Sequence, residues 1–346
     1  VDRNKENYKK IFNLGTSELF DTHAKTALYQ SIRRQHRRRR YRRVWGYATG
    51  IAAALMLFFM YFPYNPAKEL IQQDDIIQTA QHNQRAIQAG SDLLLASSVR
   101  GQDRAKVNPL KVDGDEDILK LDEHVGDNEV EYATVYVPYG KRQAFVLPDQ
   151  STAWLNAGSY LTFKKDMSQG TREVYLNGEG YFDVTHTGRP FVVRTAETQI
   201  HVLGTTFNVN SYEEDNHTVI ELLTGAVSLE STKGLFEGIR MKPGERISFD
   251  SKNKKISINR NAKGDDVLWT KRQLVLQQLS IDELARRLER IYNVRIHLDS
   301  RLRASSVAYS GRLNIDVDIV TSLRSLYELN DYEITQIEKE VWIRKR

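Results

Sequence analysis

Hydrophobic and polar positions follow different periods along this chain, and the changes divide it. Residues 44–62, VWGYATGIAAALMLFFMYF, are an apolar run ending at Pro63, and no Asp, Glu, Lys or Arg occurs from Val44 to Ala67. As a helix, such a run spans about 28 Å, close to the roughly 30 Å hydrocarbon core of a bilayer. A buried helix of a soluble protein normally keeps a polar face, and this one keeps none. The pattern predicts a transmembrane helix. Tyr61, Phe62 and Tyr64 stand where a signal peptide would need small residues for cleavage. Gly46 and Gly50 form a GxxxG, extended by Ala54, that lets two helices approach closely. Small residues are common in spans, so pairing of two copies stays open.

Before the span, residues 1–43 place Tyr8, Ile11, Phe12, Leu19, Phe20 and Leu28 at partly helical spacing. Gly15 followed by Thr16 and Ser17 marks a break and a new N-cap, which predicts two short helices. A piece this small cannot bury a core. It reads either as a solvated basic tail or as an amphipathic segment that completes its fold on a partner. After the span, residues 63–90 are rich in Gln, Asn and Asp, with weak helical periodicity through Leu70, Ile71, Ile76, Ile77 and Ile87. This predicts a helical or extended stalk.

From 91 to 262 the period becomes two. Short runs such as 131–137, 143–147, 160–163, 191–194, 206–212, 217–223 and 246–250 alternate apolar and polar positions between Gly, Pro, Asn and Asp. Asn177-Gly178 lies between the runs 172–177 and 180–185 and is a strong hairpin signal. No long helix interrupts the set, so this part is expected to be an all-β sandwich or solenoid-like domain. From 268 to 346 the pattern alternates strand and helix. Ser280 with Glu283 makes a capping box before the apolar face Ile281, Leu284, Ala285, Leu288, Ile291 and Tyr292. Asp316 or Asp318 caps a second helix carrying Ile319, Val320, Leu323, Leu326 and Tyr327. Two such units predict a small split-βαβ α+β module.

Charge sharpens the division. The sequence pI of about 9.1 first suggests a nucleic-acid binder. Residues 1–43, however, carry thirteen Lys and Arg against four Asp and Glu, a net of +9; the whole chain is +5, so residues 44–346 are net −4. The basicity concentrates in Arg33, Arg34, Arg37, Arg38, Arg39, Arg40, Arg42 and Arg43, next to the predicted span. Arginines in that place hold their side of the helix in the cytoplasm, and direct nucleic-acid binding is not needed to explain them. The expected topology is single-pass in the inner membrane, N-terminus cytoplasmic, with the bulk on the other side. There are no cysteines, which excludes disulfides, thiolate metal sites and a Cys nucleophile. The chain begins at Val1, which reads as a literally translated alternative start codon or a missing N-terminal stretch.

Catalytic signatures are absent. The eight histidines are scattered, and no HExxH, GxSxG, P-loop or GxGxxG occurs. Asp183 and His186 lie near each other in sequence but read as a solvated pair, and His201, among apolar neighbours, reads as a packed histidine. Neither an enzyme nor a cofactor or metal site is expected.

Six segments of the β region carry more information. They are Leu147-Pro148-Asp149; Trp154-Leu155-Asn156; Gly178-Glu179-Gly180-Tyr181-Phe182; Pro190-Phe191; Val202-Leu203-Gly204-Thr205 with Phe207-Asn208-Val209; and Pro243-Gly244-Glu245. In order and spacing they resemble the FecR family of transmembrane sigma-factor regulators, with Gln150 where Gly is usual and Gly180 where Ala is usual. The segment 268–346 is similar to the additional module of Bacteroidetes members, itself similar to secretin/TonB short N-terminal domains. On the residues alone, the turn-forming positions of these motifs read as fold-makers rather than contacts.

The resemblance implies an anti-sigma factor. A TonB-dependent outer-membrane transporter would signal, through its signalling domain, to the periplasmic part. The message would cross at 44–62, with an intramembrane protease as a possible participant, and reach an extracytoplasmic-function sigma factor. Tyr8, Ile11, Phe12, Leu19, Phe20 and Leu28 would then be the sigma-contacting set. The competing expectation is a membrane-anchored periplasmic binding or assembly module with no sigma partner.

Overall fold

The computed structural model describes residues 66–87, 92–99, 105–110, 118–121, 130–234 and 236–346. The expected tail 1–43, with its apolar set and its arginines, and the expected span 44–62, with Gly46 and Gly50, lie outside them. Among the described residues no helix is long and apolar enough to cross a membrane. A compact unit runs from Leu70 to Arg346.

Helix α1 (Pro66–Ala86) opens the described chain. Ile76, Ala80 and Asn83, with Ile87 just past its end, are buried, and their spacing of four, three and four puts them on one helical face. Ile76 and Ala80 cluster with Tyr132 and Tyr175, and Ile87 with Ala96 and Tyr136. Between these clusters Asn83 Nδ2 donates to Thr134 Oγ1 at 3.0 Å, and Thr134 shares a 2.8 Å hydroxyl contact with Thr162. The second half of the expected stalk therefore lies against the following sheet rather than standing free of it.

Sixteen strands follow. They are β1 (Leu94–Val99), β2 (Lys106–Pro109), β3 (Ile118–Lys120), β4 (Val130–Val137), β5 (Gln143–Val146), β6 (Thr152–Leu155), β7 (Ser159–Lys164) and β8 (Arg172–Asp183). After these come β9 (Phe191–Arg194), β10 (Thr198–Val202), β11 (Thr206–Ser211), β12 (His217–Thr224), β13 (Val227–Ser231), β14 (Ile239–Met241), β15 (Arg246–Asp250) and β16 (Lys255–Asn259). Two curved layers share one strand. The first half of β8 pairs with β7 and, in parallel, with β9, inside the layer β2-β1-β4-β7-β8-β9-β10-β13-β14. Its second half pairs with β6 and β11, inside the layer β3-β5-β6-β8-β11-β12-β15-β16. Val174, Leu176 and Phe182 of β8 point into the common core with Phe145, Phe163, Phe191 and Phe207. Phe182 stacks on Phe207 at 5.4 Å.

Asn177-Gly178 is therefore not a hairpin. It is the corner at which one twelve-residue strand passes from one layer to the other. Gly178 sits at φ +133°, and a Cβ there would lie 2.4 Å from Ser159 Oγ. The same corner explains the parallel β8–β9 pair. A parallel connection needs a crossover, and the second half of β8 with the loop after it supplies one.

The C-terminal part is a separate core built as expected from two strand–helix units: β17 (Gln273–Leu279), α2 (Ile281–Tyr292), β18 (Arg295–Leu298), α3 (Ser300–Arg303), β19 (Tyr309–Asn314), α4 (Ile319–Arg324), β20 (Tyr332–Ile337) and β21 (Glu340–Lys345). Strands β17 and β19 pair antiparallel, while β21 lies between β18, parallel, and β20, antiparallel. Leu284 and Leu288 of α2 and Ile319 and Leu323 of α4 fill one core with both sheets. The Ser280–Glu283 capping box is present, and Asn293 ends α2 at φ +53°. Asp318, not Asp316, caps α4, accepting from Thr321 N at 2.9 Å. Helix α4 stops at Arg324, so Tyr327 falls in a short 3-10 turn and is 83% exposed instead of lying on the helix's apolar face.

Candidate functional site

Five of the six sequence motifs converge on two polar centres. The first lies at the start of β8. Arg172 and Asp149 form a 2.7 Å ion pair with both side chains fully buried. Asp149 also accepts from Ser151 N and Oγ at 3.0 and 2.7 Å. Arg172 donates further to the carbonyls of Thr185, Arg189 and Leu203. One guanidinium thus fastens the Pro148-Asp149 turn, the loop before β9 and the end of β10. Gln150 takes φ +67°, the left-handed conformation for which Gly is the usual residue. Arg172 was not singled out by sequence. The signal was its register: positions 172, 174 and 176 all face inward, and an arginine in that row needs a buried partner.

The second centre lies on the outer face of the β12-side layer. Cross-strand register places Trp154, Tyr181, Asn208, Glu221 and Arg246 in one row, with Glu179 beside Asn210 in the next. Glu179 is buried, accepting from Asn156 Nδ2 at 2.8 Å and from Asn208 Nδ2 at 3.1 Å. Asn208 Oδ1 in turn accepts from Trp269 Nε1 at 3.1 Å. Trp269 is 4% exposed and sits in the 3-10 segment Asp265–Lys271 that leads into the C-terminal module. Glu221 receives that segment's Gly264 and Asp266 amides at 2.9 and 2.8 Å, and Arg246 pairs with Asp266 at 2.6 Å. Arg142 Nη1 donates to the carbonyls of Trp269 and Thr270. Trp269 belonged to none of the quoted motifs. A lone Trp in a polar connector was the available sign.

A third set of contacts joins α2 to the acidic turn Glu213–Asp215 between β11 and β12. Arg290 is 4% exposed and pairs with Glu214 at 3.0 Å and Asp215 at 2.6 Å. Its guanidinium lies 3.8 Å above the Tyr212 ring, a cation–π contact. Arg286 pairs with Asp215 at 2.9 Å, and Gly140 N donates to Arg290 O at 2.8 Å. The turn is fixed to the β core as well: Tyr175 Oη donates to Glu213 Oε1 at 3.0 Å, and Asn177 Oδ1 accepts from Glu213 N at 3.2 Å.

Electrostatics follow burial and pairing. Burial pushes the Glu179 carboxyl up, against the opposing Asn156 bond and the Arg287 charge. Glu221 is raised by burial and then by Asp266. Burial would raise Asp215 too, but Arg290 and Arg286 outweigh it and hold the carboxyl below its ordinary range. His201 is packed, as expected: burial, then the Arg194 charge, push it down to about 4.

The remaining motif residues serve the fold. Leu147, Leu155, Phe182, Phe191 and Phe207 are core residues, and Trp154 tilts against Tyr181 at 5.3 Å on the outer face. Pro190 O accepts from Arg172 N at 2.9 Å. Gly204 lets the loop carrying His186 approach, since a Cβ there would meet His186 Cβ at 2.6 Å. Thr205 Oγ1 donates to Ala226 O at 3.2 Å, and Pro243-Gly244 turns the chain into β15. Asp183 and His186 do not come together: Asp183 accepts from Thr206. Among the described residues no group of His, Asp and Glu could hold a metal ion. What the arrangement does chemically is fasten: it ties two separate hydrophobic cores together through charges, amides and one indole.

A family model described as FecR protein matches residues 133–228, and one described as FecR, C-terminal matches residues 273–343. Two crystal structures of a candidate anti-sigma factor from Parabacteroides distasonis ATCC 8503, at 2.50 and 1.65 Å, have a similar fold. Their TM-scores are 0.57 and 0.56 at 25% identity, over 62% of this chain and 99% of that one. No curated protein matches the chain.

Proposed function

This chain belongs to the FecR family, and on that premise we propose that it is a membrane-anchored sigma-factor regulator that relays a periplasmic signal into the cytoplasm. The family is regulatory rather than enzymatic, and a sigma factor is the partner it implies in general. The observation that carries the reading is the FecR region followed by the FecR C-terminal region, on a fold shared with a candidate anti-sigma factor.

In finer terms, residues 1–43 contact an extracytoplasmic-function sigma factor through Tyr8, Ile11, Phe12, Leu19, Phe20 and Leu28. Residues 44–62 cross the inner membrane, oriented by Arg33–Arg43, and residues 63–90 connect to the periplasmic part. That part comprises 91–262 and 268–346 and receives the signalling domain of a TonB-dependent transporter. The charge asymmetry and the apolar run support this layout. The resemblance of 268–346 to short domains of such transporters supports that partner.

The test is co-purification of the full chain, and of a chain lacking residues 1–30, with each extracytoplasmic-function sigma factor of the source organism. A salt-resistant one-to-one complex made by the full chain and lost on deletion is expected. No complex with any sigma factor would leave the tail as an anchor and the protein as a periplasmic binding module.

A further inference from the structure

We propose that the acidic turn Glu213–Asp215 couples the C-terminal module to helix α1, so that release of α2 from the turn loosens α1 on its sheet. The turn is gripped from two sides. On one side Arg290 and Arg286 hold Glu214 and Asp215. On the other, Glu213 accepts from Tyr175 Oη, and Tyr175 is part of the cluster that seats Ile76 and Ala80 of α1. Three consecutive acidic residues thus face two different elements.

The C-terminal core and the β core are separate clusters of buried apolar residues. Their seam is polar, formed by ion pairs, amide contacts and the Trp269 indole. A polar seam opens at lower cost than an apolar core, because water replaces its hydrogen bonds. Helix α1 is held in a similarly shallow way. Among the described side chains its contacts are Ile76, Ile77, Ala80 and Asn83, the last bonded to Thr134. From the turn, α2 is reached directly and α1 through Tyr175 of β8. That strand carries Tyr175 toward α1, Glu179 toward Trp269 and Asn177 at the turn itself.

When Arg290 lets go, Glu214 loses its cation and Asp215 keeps only the more exposed Arg286, so the turn is freer to shift about Asn216, which already sits at φ +53°. Glu213 then leaves Tyr175. Tyr175, only 2% exposed, then loses the bond that fixes its ring against Ile76 and Ala80. Both neighbours therefore bias the same local element, which is the physical requirement for coupling. The coupling is a property of the folded part and stands whether or not residues 1–43 bind a sigma factor.

The test is hydrogen–deuterium exchange on the full chain in detergent micelles, comparing the parent with Arg290→Gln, Tyr175→Phe and the double variant. Arg290→Gln is expected to speed exchange about tenfold in peptides covering 75–87 as well as in those covering 281–292. Peptides covering 206–211 in the core should be unchanged. Tyr175→Phe should speed the 75–87 peptides alone, and adding it to Arg290→Gln should give no further increase there. Arg286→Gln, whose contact is more exposed, is the milder variant should Arg290→Gln fail to fold, and the same pattern is expected at smaller amplitude. Exchange confined to 281–292 in the arginine variants, or effects on 75–87 that multiply in the double variant, would overturn the proposal.

Discussion

Arg172 and Asp215 carry opposite lessons about buried charge. Arg172→Ala leaves Asp149 buried without its cation and strips a donor from three carbonyls. A cost of about 3–5 kcal/mol is expected, read as a lower urea midpoint for the transition of the β core. Asp215 is instead a sensor of acid. Its folded carboxyl lies below the ordinary 3.8, because Arg290 and Arg286 outweigh its burial. A depressed folded value adds stability that is complete above the unfolded pKa and is lost as pH falls through the folded one. Parent protein should therefore lose stability on the acid side of 3.8 more steeply than Asp215→Asn. The variant should be weaker by about 1–3 kcal/mol at neutral pH. Parallel acid limbs in urea titrations would remove Asp215 from the account. At this scale the motif residues were legible as turn and strand formers, but their partners were not. Nothing local in the sequence tells that Asn208 faces Trp269, since the two are 61 positions apart.

Among elements, β8 decides the architecture. Gly178→Ala places a methyl 2.4 Å from Ser159 Oγ at a left-handed φ. Loss of at least about 2 kcal/mol is expected in thermal unfolding. Ser280→Ala removes one half of the capping box and should cost about 1 kcal/mol, confined to the C-terminal module. The reading of Asn177-Gly178 as a hairpin failed for a definable reason. The dipeptide signals φ > 0, and a strand corner needs that as much as a tight turn does. Strand and helix positions were otherwise visible from period, as at 246–250 and 281–292. Strands β2 and β14 were missed because residues 106–109 and 239–241 are too short to show a period. Tyr327 was misplaced because helical spacing continued past the point where α4 stops.

For the whole molecule, the change of period near 268 falls between two clusters of buried apolar residues, and it carries no sign of the seam between them. Apolar patterning reports which face is buried, not which polar face another module will cover. Two cores joined by polar contacts predict that residues 66–346 unfold in more than one step. Calorimetry should give a van 't Hoff enthalpy below the calorimetric one, and equality of the two would mean that the seam binds both cores into a single unit.

The shared strand also constrains how such a protein can change over time. Val174 and Leu176 face the core in one layer and Phe182 faces it in the other, all at even positions. Gaining or losing one residue between 176 and 182 would turn half the strand inside out, exposing Phe182 and burying Tyr181 or the charged Asp183 in its place. Insertions and deletions among homologues are therefore expected to avoid 172–183 altogether. They should accumulate instead in the exposed turn between β15 and β16, which carries no core residue.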